Sequence, residues 1–398
     1  MSGHRAGYYR LALILGAQTA MGPLAIDTYL PALPTITRQF GTSSAAVQLS
    51  LSVYFIGIAL GQAVYGPLSD RHGRRPPLFV GLALFVSGSL GCALAPNIAT
   101  LVVFRFVQAL GGCAPLVIPR AVVRDLFNER DSVRMLSVLM LVMGLAPILA
   151  PLVGGQMLKY LGWRSIFWAY VVYGGLLLVV AAVGLEESLP VERRTRQPLD
   201  VVLRTYARLL TDWRYLGYVL SGGLVFAGLL AYISGSPYIF IELYRISPQR
   251  FGLYFGSNAI GIIAASQLNR LLVHRYSPRP TLQAVLWITA TASLGLLVGA
   301  YSNYAGLAGI VIPLWFFIAT HGIVSPNTTA LAMTPYGAVA GSASALLGTI
   351  QFGLGAAAGS LISALADGTA RPFASVLAGC GLGAFLLFRL TRPVARSL

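Results

Sequence analysis

Residues 66–76 read GPLSDRHGRRP. Five ionisable side chains (Asp70, Arg71, His72, Arg74 and Arg75) and two glycines (Gly66 and Gly73) crowd between two long apolar runs, in a chain only 10% charged. A soluble domain carries about 25% charged residues, because its surface must be hydrated. This chain of 398 residues is 56% hydrophobic, with a mean hydropathy of +0.74. So little charge cannot keep a surface of that size in water, and the composition points to lipid. The basic cluster is then a short connection between two membrane helices.

Working outward from it, about twelve apolar runs reach the ~20 residues that a helix needs to cross the hydrocarbon core. They centre on 8–33, 46–66, 77–95, 98–119, 135–158, 165–185, 215–241, 251–272, 281–301, 304–330, 340–365 and 373–390. The expected fold is an all-α polytopic membrane protein. A polar connection at 186–214 divides it into an N-terminal half, 1–185, and a C-terminal half, 215–398, of six spans each. The first run lacks a small-residue cleavage site and reads as a span that is kept. Cytoplasmic loops carry an excess of Lys and Arg. With both termini inside, the outer loops hold only Arg38, Lys159, Arg164, Arg245, Arg250 and Arg371 of the 28 Lys and Arg, so N-in/C-in is expected. Faint internal similarity accompanies the division: GLAPILAPLVGG from Gly144 against GTIQFGLGAAAG from Gly348, and SDRHGRRP against VHRYSPRP.

The same distribution excludes other classes. A net charge of +16 would suit nucleic acid, but the charges form no basic face along any helix, and no nucleic-acid partner is expected. Cys92, Cys113 and Cys380 lie within apolar segments, and the histidines (His4, His72, His274, His321) show no metal spacing. A phosphate-binding G-x-x-x-x-G-K-(S/T) loop is missing from the sequence, which argues against an intrinsic ATPase. Neither a membrane enzyme's HExxH nor a channel's repeated filter occurs.

The order of residues in GPLSDRHGRRP resembles the signature loop of the major facilitator superfamily, G-x-L-(A/S)-D-R-x-G-R-(K/R). Three more stretches fall where that family would place them. FRFVQALGGCA, from Phe104, resembles its R-x-x-Q-G-x-G motif, with Ala109 for the first glycine. LAPILAPLVGG, from Leu145, resembles the antiporter motif, with Ala150 where many members have glycine. PLAIDTYLPALP, from Pro23, resembles the first-helix signature of drug:proton antiporters. AYISGSPYIFIE, SPNTTALAM and AGSASALLGTIQFGLGA extend the likeness to the bicyclomycin/chloramphenicol-resistance (Bcr/CflA) branch over nearly the whole chain. The resemblance implies the major facilitator fold and a monomer of the inner membrane. It also implies proton-driven efflux of small hydrophobic or amphipathic drugs, with no cofactor beyond the proton gradient. The nearest rival is a proton-coupled or facilitative transporter of one metabolite on the same fold.

Candidate residues follow. Asp27 is the one carboxylate that the sequence places within a span, and an intramembrane ionisable group is by default functional; the alternative is a solvated group at the outer edge. Arg105 is the one cation inside a span, always charged and so in need of partners. The resemblance gives both a role in proton coupling, while an anchor on backbone carbonyls is the plainer reading of Arg105. Gln108 shares a helix face with it. Tyr54, Gln108, Phe226, Tyr232, Asn258 and Gln351 are candidate cavity residues, since apolar walls with a few polar groups suit small molecules. Gly66, Asp70, Arg71, Gly73 and Arg74 form the expected gating loop, where both glycines allow a tight turn and Asp70 can meet a neighbouring helix N-terminus. The resemblance implies a cytoplasmic latch between the two halves, while a positive-inside topology signal is the plainer reading. Gly144, Pro147, Pro151, Gly154 and Gly155 bend the fifth span, which the resemblance reads as an antiporter hinge.

Overall fold

Lipid offers peptide groups no partner, so a chain this apolar satisfies them within helices. The computed structural model describes residues 2–194, 199–273, 275–302 and 305–391. Among them run α1 (Ser2–Asp27), α2 (Leu33–Phe40), α3 (Ser44–His72), α4 (Arg75–Ala93), α5 (Ile98–Leu126), α6 (Glu129–Leu161) and α7 (Arg164–Gly184). After the connection come α8 (Leu199–Thr211), α9 (Trp213–Pro237), α10 (Pro248–Val273), α11 (Pro278–Ser302), α12 (Gly306–Met333), α13 (Ala340–Ala364) and α14 (Arg371–Leu390). Their starts are written in the sequence. Ser43, Asn97, Asn128 and Asp212 cap α3, α5, α6 and α9, accepting from backbone N–H groups at 3.2, 2.9, 3.0 and 2.9 Å.

Eleven of these segments, among the described residues, are long and apolar enough to cross a membrane. The twelfth expected span, 251–272, is α10, which has the length but not the hydropathy. The cause is its polar side chains, which turn to neighbouring helices. Asn258 donates to the Tyr232 hydroxyl at 2.9 Å, and Asn269 accepts from Asn327 at 2.6 Å, all four buried.

The chain forms two compact units, Met1–Pro198 with Pro248–Leu253, and Leu199–Ser247 with Tyr254–Leu398. Residues 186–194 of the connection thus go with the first unit and α8 with the second. In the first unit α5 is central. A side chain at Gly81, Gly88 or Gly111 would overlap Ala114, Gln108 or Phe85 across the α4–α5 seam, so backbones touch there. By contrast, α6 is mostly uncovered, with Leu141, Leu149 and Val153 turned outward as lipid-facing groups should be. In the second unit the core gathers on α9, with Tyr215, Tyr218 and Val219 packed among Leu282, Leu286, Val324 and Phe388.

One local expectation is corrected. Gly66 makes no turn: α3 runs through it and Pro67 to His72, and the Gly66 carbonyl accepts from Ser69 Oγ at 2.9 Å. Only Gly73 turns the chain, at φ +92°. Asp70 and Arg71 therefore stand on the last turn of α3, and the loop proper is Gly73–Arg74.

Candidate functional site

The site of the first unit starts from the end of α1. The last carbonyls of a helix lack intrahelical partners; here Thr28 N reaches Leu24 O at 3.2 Å, and two side chains bind the same end. Tyr170 of α7 donates to Leu24 O at 2.9 Å, and Arg105 Nη1 of α5 donates to Ala25 O at 3.1 Å. A cation at a helix C-terminus also meets the negative end of the macrodipole. Asp27, the final residue of α1, is only 3% exposed, so it is no solvated edge group.

Arg105 is fully buried. Its Nη1 also reaches Gln108 Oε1 at 2.6 Å, and Gln108 Nε2 in turn donates to Ser89 Oγ at 2.7 Å. The guanidinium lies 4.1 Å from the Tyr54 ring centroid, 4.7 Å from Tyr29 and 5.9 Å from Phe167. Such ring faces stabilise a desolvated cation by about 2 kcal/mol each at best. Nε and Nη2 of Arg105 and the Tyr54 hydroxyl find no hydrogen-bond partner among the described residues. Among the described residues no ion pair joins Arg105 to Asp27, although Arg105 holds Ala25 O at the same buried end of α1. Both anchor and open donors are present in the same side chain.

Gly154 of α6 packs on the same place. A side chain there would run into the backbone of Thr28, next to Asp27. Gly155 and Pro151 are buried, while Gly144 and Pro147 are half-buried, along an α6 that carries both prolines unbroken.

The signature loop closes around Arg74, which is 2% exposed. Its Nη1 donates to Asp70 Oδ1 at 2.5 Å and to Ser69 Oγ at 3.0 Å, and its Nε and Nη2 to Asp125 at 2.7 and 3.2 Å. Burial works against the guanidinium charge, but the bonds to Asp125 and Asp70 outweigh it and hold Arg74 above its ordinary pKa. Arg71 is exposed. A second correction lies here: Asp70 serves Arg74, and the N-terminus of α4 is met by Glu187 instead. Its carboxylate accepts from Arg74 N at 2.8 Å, Arg75 N at 3.1 Å and Leu189 N at 3.0 Å. Ser188 Oγ adds a bond to Asp125 Oδ2 at 3.1 Å. Glu187 lies against Gly73, where a side chain would strike its carboxylate. Asp125, Glu187 and Ser188 escaped the sequence reading, since nothing local marks a residue whose partner is 51 to 113 positions away.

The candidates of the second unit are not gathered in the same way. Tyr232 and Asn258 bond each other, and the Tyr232 ring stacks on Phe255 at 5.4 Å. Phe226 packs edge-on to Phe352 at 5.1 Å and beside His321 at 5.5 Å, and Gln351 is half-buried. His321 Nδ1 is buried without a partner among the described residues, a feature that its solitary place in an apolar run did not reveal. In the echo of the signature loop, Arg279 bonds Tyr218 Oη at 2.6 Å and Thr391 O at 2.8 Å, with no carboxylate involved; His274 is outside the described residues.

Long spanning helices in two units, with buried charges confined to a few points, define a multi-pass membrane transporter. The model of the Major Facilitator Superfamily matches residues 15–360, and the chain belongs to that family; it is a multi-pass protein of the inner membrane. It is 37% identical over 96% of its length to the uncharacterized MFS-type transporter YdgK of Bacillus subtilis (strain 168), of which it covers 95%. It is 29% identical to a bicyclomycin resistance protein homolog of Haemophilus influenzae, over 92% of each chain. A chloramphenicol resistance protein of Pseudomonas aeruginosa is 28% identical, over 90% of this chain and 85% of that one. Among solved structures, a D-xylose-proton symporter superposes with a TM-score of 0.77 over 97% of this chain and 98% of its own, at 16% identity, a likeness of fold.

Proposed function

We propose that this protein is a proton-driven exporter of small hydrophobic or amphipathic drugs, working by alternating access as an N-in/C-in monomer that needs no cofactor. The observation that carries it is the buried carboxylate of Asp27 at the end of α1 where Arg105 holds the Ala25 carbonyl, with Nε and Nη2 of Arg105 left open among the described residues. The similarity to proteins named for bicyclomycin and chloramphenicol resistance supports the drug class. Asp27 takes the proton and Arg105 senses its arrival at the end of α1. The buried glycines of α6 let that end shift, the loop around Arg74 latches the first unit, and Tyr54, Gln108, Phe226, Tyr232, Asn258 and Gln351 contribute to substrate contact. A membrane potential on the order of 150 mV supplies about 3.5 kcal/mol per charge moved, a concentration ratio of roughly 300.

Asp27→Asn tests the reading, because an amide imitates the protonated acid at every pH. In liposomes with the drug-receiving side acidic, the parent accumulates drug and releases protons on binding it; the variant inserts normally and does neither. Undiminished gradient-driven accumulation by Asp27→Asn would move the coupling elsewhere. A metabolite transporter on this fold would instead leave a panel of antibiotics equally inhibitory with and without the protein in an efflux-deficient host.

A further inference from the structure

Helix α8, Leu199–Thr211, opens the second unit, and one residue, Asp212, separates it from Trp213 at the start of the spanning helix α9. That short join fixes the end of α8 at the membrane surface, whichever way the helix then runs. At 3.6 residues per turn its side chains fall into three strips. Leu209, 2% exposed, lies in the core of the second unit, Tyr206 packs against that core, and Val202 on the same strip is half-buried. Beside them Leu203, Ala207 and Leu210, at i, i+4 and i+7, are exposed, Leu203 by 64% and Leu210 by 47%. Beyond these stand Asp200, Arg204 and Arg208, all exposed.

Apolar residues beside basic ones on the outer side of a surface helix describe a body lying in the interface, leucines in the acyl boundary and arginines at headgroup depth. Trp213, 43% exposed, stands where interfacial aromatic residues collect. Arg204 is paired with Asp200 at 3.2 Å, but with both side chains mostly exposed that pair holds it only weakly. Arg208 on α8 and Arg214 at the start of α9 are two further exposed cations.

We infer that α8 is a membrane-surface helix that binds anionic phospholipid, with Leu203 and Leu210 in the acyl region and Arg204, Arg208 and Arg214 on lipid phosphates. This rests on α9 crossing the membrane. Its readout is the position of α8, not transport, so failure of the efflux reading leaves it standing.

The test uses the full-length protein in nanodiscs of phosphatidylcholine, with or without phosphatidylglycerol. The natural cysteines, Cys92, Cys113 and Cys380, are buried, so nitroxides report from the introduced positions Leu203→Cys, Leu210→Cys and Asp200→Cys. Labels at 203 and 210 should be open to oxygen and shielded from a water-soluble nickel complex, and the label at 200 the reverse. Anionic lipid should deepen the leucine positions. The pair Arg204→Gln and Arg208→Gln should remove that response, losing roughly fivefold in lipid preference per arginine, the equivalent of about 1 kcal/mol each. Labels at 203 and 210 open to nickel in both bilayers would overturn the inference. So would insertion that is indifferent to phosphatidylglycerol, or the same shift produced by inorganic phosphate in phosphatidylcholine alone.

Discussion

Arg105 shows how much a single buried cation asks of its surroundings. One nitrogen holds a helix-end carbonyl and an amide oxygen, and the flat guanidinium lies among three ring faces. Lysine keeps the charge but offers neither the plane nor the fork. Losing charge-assisted bonds of this kind costs about 1.5–3 kcal/mol. Arg105→Lys should therefore insert normally yet transport at least tenfold more slowly in reconstituted liposomes; a parental rate would mean that a point charge is enough. Asp27 and Arg105 were legible in the sequence because charge inside an apolar run stands out. Gln108, one turn on from Arg105, was legible as its neighbour, but Ala25 and Ser89 were not, being ordinary residues given meaning by helix packing.

At the scale of elements, the loop after α3 and the strap at 187–189 form one device. Asp70→Asn leaves every arginine that sets orientation in place, so a mere topology signal would keep working. The latch reading expects correct insertion with transport lost, measured in inverted vesicles. Glu187→Gln keeps an acceptor oxygen but loses the charge facing three N–H groups. A cap weakened in this way costs about 0.5–2 kcal/mol, and should appear as faster amide exchange at Arg74 and Arg75 and slower turnover, with substrate affinity kept. Exchange at the parental rate would show that α4 begins without help from the strap. The sequence placed this loop between two spans correctly but misjudged its start at Gly66. Gly66 itself keeps helical backbone, and a membrane helix tolerates the one hydrogen bond that Pro67 removes beside it.

Over the whole molecule, apolar runs separated by basic connections made the helical plan readable before any coordinates. α10 reads as a helix with the rest, at 251–272, and stands apart only in its lower hydropathy. Its asparagines lower the hydropathy because they bond Tyr232 and Asn327, information that resides in partner helices and not in the run itself. The arginine bias makes a further expectation concrete. A fluorescent-protein fusion after Leu398 should fluoresce, and an alkaline phosphatase fused after Gly162 should be active. The opposite pattern would invert the N-in/C-in arrangement.

The α4–α5 seam carries a consequence for how such a protein changes under selection. Gly81, Gly88 and Gly111 meet facing atoms so closely that any side chain displaces a neighbour. Leu141, Leu149 and Val153 on α6 face outward and are interchangeable with other apolar residues. Drift is therefore confined by geometry to the outer faces. The outer faces can vary while the seam stays frozen, so a glycine with no chemistry of its own becomes indispensable through the space it leaves empty.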